Sequence, residues 1–327
     1  MKSRIVPAWV LLIATPLIAE YLLGSLSIAE IGALPVLCLM YGGGAVFIRE
    51  VARATKRGWP TIVILGVAYG LIEEAFATQS LFNPHYLGLR LLDYGYLPAF
   101  GISGNWTVYV ISLHAIWSIC VPIGLVEGLF PREGEAPWLG TVGRSIFGGL
   151  FVLGLVAVFT FTRRTEHFMA SAAQFAIAGV LVVLIVAVAL TRKRQRGSEA
   201  VSGGHPPRPI IVAVLALALG SAFELTQTLQ HLGVPWWGTV LGMAAVEAVG
   251  VTYLARAGVR STWSAAHRYA AAAGALLVYC WWGIHVEMAL HGSSGLVAHA
   301  FLVILTLITL VAGAARQRAA KPPHRIG

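Results

Sequence analysis

The chain has 327 residues, of which 57% are hydrophobic and 11% charged, with a mean hydropathy of +0.77. Soluble domains carry about 25% charged residues, so this composition excludes an ordinary water-soluble enzyme and a disordered chain and points to a polytopic α-helical membrane protein. The net charge is +9. Because the basic residues lie between apolar runs, that charge reports topology, and no nucleic-acid partner is expected.

Ten apolar runs approach the roughly 20 residues needed to cross a bilayer: 7–24, 31–48, 60–80, 105–129, 142–162, 168–191, 209–229, 236–256, 267–285 and 297–315. Their length and lack of period-2 alternation predict an all-α transmembrane bundle and not a β-barrel. The first run follows Met1, Lys2, Ser3 and Arg4 and resembles a signal peptide. No small-x-small cleavage site precedes Glu20, so it is expected to remain as the first helix. The triple glycine 42–44 lies inside the second run, where it suits close helix approach and not phosphate binding.

Between the third and fourth runs lies the segment 80–104, with Tyr86, Tyr94, Tyr96, Phe100 and the chain's single aspartate, Asp93. It is expected to lie as an amphipathic, aromatic segment at the outer interface, in a position to act as a lid. After the sixth run, the basic and then Gly/Pro-rich stretch 192–208 reads as a flexible connector. It divides a six-span region (1–191) from a four-span region (209–315), and a basic tail follows at 316–327. On this pattern 20 of the 23 Lys and Arg residues fall on one side, and Arg90, Arg163 and Arg164 on the other. The bias places both termini in the cytoplasm of a multi-pass cell-membrane protein. Cys38, Cys120 and Cys280 all sit in apolar runs, so buried thiols and no disulfide framework are expected.

The chemistry lies in acids that the membrane should exclude. Glu20, Glu73, Glu74, Glu127, Glu224 and Glu247 fall within proposed spans, as does His114. A carboxylate at the bilayer centre costs about 2.5–3.5 kcal/mol on insertion scales and therefore faces a cavity or a partner. At 1.5 Å per residue, Glu73 lies about 10 Å and His114 about 13 Å below the outer ends of consecutive helices. Glu20, Glu73, Glu74, His114, His167, Glu224 and His285 are therefore predicted to share an outer-half cavity. Glu247 lies near mid-membrane, and Glu127 near the inner end is set aside. Two adjacent carboxylates in a low dielectric hold their protons unequally, and a nearby imidazole can shuttle one. The catalytic candidates are Glu73, Glu74 and His114, and His167, Glu20, Glu224, Glu247 and His285 are secondary. A metal held by Glu73, His114 and a third ligand is left open by the sequence but has no motif behind it, and no cofactor is expected. HVEMALH at 285–291 lacks HExxH spacing, and no GxSxG motif occurs.

The stretch GLIEEAFATQSLF at 70–82 resembles the first motif of the CAAX protease and bacteriocin-processing family of glutamic intramembrane proteases. That family's pattern is EExxxR, then FxxxH, then HxxxN. Glu73 and Glu74 match the acids, while Thr78 stands at the arginine position. His114 matches the second histidine, with Val110 at the phenylalanine position. His167 and Ser171 have the third motif's spacing without its asparagine. The resemblance covers about residues 60–120. It implies a water activated by glutamate and histidine that attacks a peptide carbonyl of a peptide or lipid-embedded substrate. The segments YGGGAVFIREV, TQSLFNPHYLGLRLLDYGY and GISGNWTVYV also resemble uncharacterised bacterial polytopic membrane proteins. Three functions compete on the sequence: an intramembrane hydrolase using Glu73, Glu74 and His114, a proton-coupled small-molecule transporter, and a non-catalytic membrane partner.

Overall fold

The computed structural model describes residues 5–131, 133–192, 206–258 and 263–319. Among these the helices follow the predicted order: α1 Val6–Leu22, α2 Ile28–Ala54, α3 Trp59–Ala77, α4 Gly104–Leu129, α5 Thr141–Thr165, α6 Ala172–Thr191, α7 Pro209–Leu232 and α8 Trp236–Gly258. The last apolar length, Ala265–Ala319, is a hairpin of α9 (Ala265–His291) and α10 (Leu296–Ala319). The chain reverses at Gly292, whose positive φ of 68° suits glycine. The Tyr269 hydroxyl donates to the Leu310 carbonyl at 2.8 Å, a contact that requires the two helices to run antiparallel. The described chain is thus an all-α polytopic bundle with ten passes. α2 runs from Ile28 to Ala54, well beyond the expected 31–48, and α3 stops at Ala77, short of residue 80.

The basic helix ends gather on one face. Arg53 at the end of α2, Glu127 at the end of α4 and Arg268 at the start of α9 all join one ion network through Glu135. Arg57 donates to the Leu190 carbonyl of α6, and Arg316 of α10 to the Leu129 carbonyl of α4. This is the inner face by the distribution of positive charge. α10 continues to Ala319 before the tail. The rest of the predicted tail, 320–327, and most of the predicted connector, 193–205, lie outside the described residues.

α1 to α4 build one apolar core around Leu11, Tyr41, Ile62, Tyr69 and Ile119. α4, α7 and α9 build a second around Trp117, Phe223, Val278 and Tyr279. α5, α6 and α8 flank these cores: Phe147, Ala189 and Met243 pack into them, while Val156, Val183 and Leu241 on the same helices are exposed, as suits faces turned to lipid.

The segment 80–104 differs from the expected amphipathic element. It forms a compact cap with a 3₁₀ turn at Tyr86–Gly88 and two paired two-residue strands, β1 Tyr96–Leu97 and β2 Ile102–Ser103. Left-handed backbone at Leu87, Gly88, Gly95 and Gly101 breaks any helix there. The cap is pinned to its surroundings. Tyr94 donates to the Val234 carbonyl at 2.6 Å, Glu166 accepts from the Leu87 N–H at 3.0 Å, and Gln174 donates to the Phe100 carbonyl at 3.2 Å. Tyr96 and Phe100 remain exposed.

Candidate functional site

Four helices relax into π-helical turns: Leu17–Leu22 in α1, Cys38–Gly42 in α2, Glu73–Ala77 in α3 and His114–Cys120 in α4. Such turns are rare and concentrate at functional sites. Each of the four supplies a polar side chain to one buried cluster: Glu20, Tyr41, Glu73 with Glu74, and His114 with Ser118. Proline gives a local reason in α1, where Pro16 lacks the N–H that would close the ladder on Leu12.

Close helix approach sets the central geometry. On α3, Gly66 and Gly70 form a GxxxG pair against α4. A Cβ at Gly66 would press on Ala115, and one at Gly70 would reach His114 Cβ at 2.9 Å. Only glycine at these positions lets the α4 backbone come so near. His114 thereby lies between the two acids. Its Nε2 is 2.7 Å from Glu74 Oε1, and its Nδ1 is 3.1 Å from Ser118 Oγ and 3.3 Å from Glu73 Oε2.

Glu74 is held on its other oxygen, Oε2, by the hydroxyls of Thr78 at 3.0 Å and of Ser80. Trp106 Nε1 donates to Ser80 Oγ at 3.0 Å, so the start of α4 braces the acid through a hydroxyl. Glu73, only 1% exposed, keeps Oε2 without a hydrogen-bond partner of good geometry. Glu20 accepts from the hydroxyls of Tyr41 and Ser25. The Tyr41 and Tyr69 rings each lie 5.9 Å from the His114 ring. Tyr86 in the outer cap has its phenol pushed well above the ordinary value, first by burial and then by Glu74, Glu20 and Glu73. The cap meets the cluster directly at Ser80, whose hydroxyl donates to Glu74.

Of the predicted cavity residues, Glu20, Glu73, Glu74 and His114 are brought together. The others are not. Glu224 is buried in the second core, where it accepts from the Tyr109 hydroxyl at 2.8 Å. Glu247 on α8 is half-buried against Ser112 of α4. His167 sits exposed at the outer end of α5 with a positive φ of 52°. His285 is exposed beside the Trp282 ring at 4.8 Å. The depths of these side chains match the cluster, but their helix faces point elsewhere, and depth arithmetic carries no azimuth. Sequence reasoning also missed Tyr41, Tyr69, Ser118 and Ser80, ordinary residues for apolar helices and loops. The one available signal was the GxxxG spacing of Gly66 and Gly70.

Two other buried polar groups lie apart from the cluster. At the inner face, Arg49 and Arg53 both donate to Glu127, at 3.0 and 2.9 Å, and Arg49 stacks 3.4 Å from the Trp138 ring centre. Near the outer end of α9, Glu287 and His299 of α10 approach to 4.0 Å.

The fold and cluster define a multi-pass α-helical membrane protein with a buried Glu–Glu–His centre. The chain belongs to an uncharacterized membrane protein family, matched over residues 10–320. No curated protein and no solved structure matches it. The CAAX protease and bacteriocin-processing family, suggested by residues 60–120, is not matched either.

Proposed function

We propose that this membrane protein is an intramembrane hydrolase whose centre is Glu73, Glu74 and His114. The observation that carries the reading is the placement of His114 between two buried carboxylates, 2.7 Å from one and 3.3 Å from the other. A water beside Glu73 Oε2 meets a carboxylate oxygen that makes no hydrogen bond of good geometry and is suited to act as general base. The water oxygen attacks a substrate carbonyl while its proton passes to Glu73. Protonated His114, oriented by Glu74, then gives a proton to the leaving amine or alcohol as the carbonyl-to-heteroatom bond breaks. Tyr69, 1% exposed and with its hydroxyl beside Glu73, is the candidate donor to the developing oxyanion.

The substrate class is a peptide or acyl group presented from the outer leaflet, because the cap 80–104 adjoins the cluster through Ser80 and Glu74. The transporter reading is weaker, since Glu224 pairs with Tyr109 and Glu247 with Ser112, and neither hydrogen-bonds a member of the cluster among the described residues.

The test is cleavage of lipoprotein and prenyl-peptide substrates by purified protein in nanodiscs. Glu73→Gln and His114→Ala are expected to lower turnover by about 10²–10⁴-fold, whereas Glu247→Gln stays within about threefold. Unchanged turnover in both cluster variants would sink the reading.

A further inference from the structure

We propose that Glu73, Glu74 and His114 bind one divalent transition-metal cation. One ligand atom from each of the three buried side chains can be chosen so that all lie within 4.8 Å of one another. Zinc ligands at about 2.0–2.2 Å from the metal lie some 3–3.5 Å apart, so the set must contract on binding, with Glu73 turning from Nδ1 toward the Nε2 side of His114.

Charge gives the second reason. The cluster holds three carboxylates, counting Glu20, against one imidazole. Among the described residues no arginine or lysine pairs with any of them, whereas Glu127 at the inner face has two arginines. Thr78, Ser80, Ser25 and Tyr41 bring hydroxyls and no charge. Carboxylates buried without a counter-charge are strongly disfavoured, and a bound cation removes the deficit.

Hydrogen bonding gives the third. Glu73 Oε2 is buried without a hydrogen bond of good geometry, 3.3 Å from His114 Nδ1, whereas the Glu20 and Glu74 oxygens are hydrogen-bonded. The remaining contacts match the outer support that metal ligands require. Ser118 engages Nδ1 of His114 and leaves Nε2 facing Glu74, while Thr78 and Ser80 fix the Glu74 carboxylate. In the metal-free state a proton lies between Nε2 and Glu74 Oε1, and binding displaces it.

One imidazole and two carboxylates favour zinc, manganese or iron(II). The imidazole argues against calcium and magnesium, and the lack of a thiolate in the set argues against copper(I). Water completes the coordination.

This inference shares its residues with the hydrolase reading but not its reaction, because the metal is read on resting protein. Purified full-length protein, stripped with a chelator, is titrated with Zn²⁺ against a chromophoric competitor and with Co²⁺ by visible absorption. One equivalent is expected to bind, with a Co²⁺ d–d spectrum and a rise in melting temperature. His114→Ala and Glu74→Gln should weaken binding at least 100-fold, Ser118→Ala about tenfold, and Glu247→Gln not at all. If His114→Ala fails to fold, Ser118→Ala and Glu73→Gln carry the comparison. Absence of saturable 1:1 binding, or equal binding by wild type and the cluster variants, overturns the proposal. Absence of 1:1 binding by protein that cleaves substrate would overturn the metal site and keep the hydrolase. Stoichiometric metal without cleavage of any acyl or peptide substrate would do the reverse.

Discussion

Glu127→Gln offers a sharp test of what holds the inner end of the bundle. Glu127 accepts from Arg49 Nε at 3.0 Å and from Arg53 Nε at 2.9 Å and Nη2 at 2.7 Å. All three side chains are nearly inaccessible to solvent. The substitution keeps the volume and one acceptor oxygen but removes the charge, and it offers an amide N–H₂ to an arginine. Arg49 then keeps Glu50 as its remaining counter-ion. The Glu50 oxygens are already shared with the backbone N–H groups of Trp138 and Leu139, at 3.1 and 2.9 Å. Breaking a buried pair from one side typically destabilises by about 3–5 kcal/mol, because the surviving charge is stranded. The expected loss is in that range, measured as unfolding of purified protein in mixed micelles by tryptophan fluorescence. Asp93→Asn, which breaks the exposed ion pair with Arg90, is the control and should show no measurable change. A Glu127→Gln protein as stable as the Asp93→Asn control would refute the view that this network holds α2, α4 and the 133–139 loop together.

Three further outcomes follow from the geometry. Gly70→Ala should lower turnover at least tenfold and also lower the melting temperature, because the added methyl presses on His114 and on the α4 backbone at Ile111 and shifts the imidazole from Glu74; steady-state cleavage beside a thermal melt reads both effects. Gly154→Ala should destabilise by about 1–3 kcal/mol, since its methyl would enter the α2 backbone at Leu39 and Met40 beside a π turn; mixed-micelle unfolding reads it. Tyr86→Phe should flatten the alkaline limb of the stability–pH curve. The Tyr86 phenol is raised above its unfolded value of 10.0, so its contribution is intact below pH 10 and declines as pH rises past it. The effect is at most about tenfold in the unfolding constant per pH unit, and an unchanged alkaline limb would place the hydroxyl outside the cap.

Composition and period carry most of the fold because burying an apolar face is a one-dimensional demand. Ten apolar runs and the distribution of 23 basic residues give the pass number and the inner face, and the helix ends at Arg53, Glu127, Arg268 and Arg316 meet accordingly. The candidate site was legible in part, for a different reason. Glu73, Glu74 and His114 are conspicuous because the bilayer makes each of them expensive. Azimuth is what the sequence conceals. Glu224 and His285 have suitable depth, yet Glu224 meets Tyr109 in the second core and His285 is exposed. An α-helix turns 100° per residue, and each π turn adds a residue to its turn and rotates everything beyond it. Four such turns meet at this cluster, so an ideal-helix projection is in error most where the chemistry is concentrated. The same extra residues explain how Glu73 and Glu74, adjacent on α3, both reach one imidazole: the π turn that begins at Glu73 widens the helix at the two acids, and Gly66 and Gly70 bring His114 close enough to lie between them. Straightening either π turn at the acids or the histidine would separate the groups without deleting any of them, which is why the distortion belongs to the site as much as the side chains do.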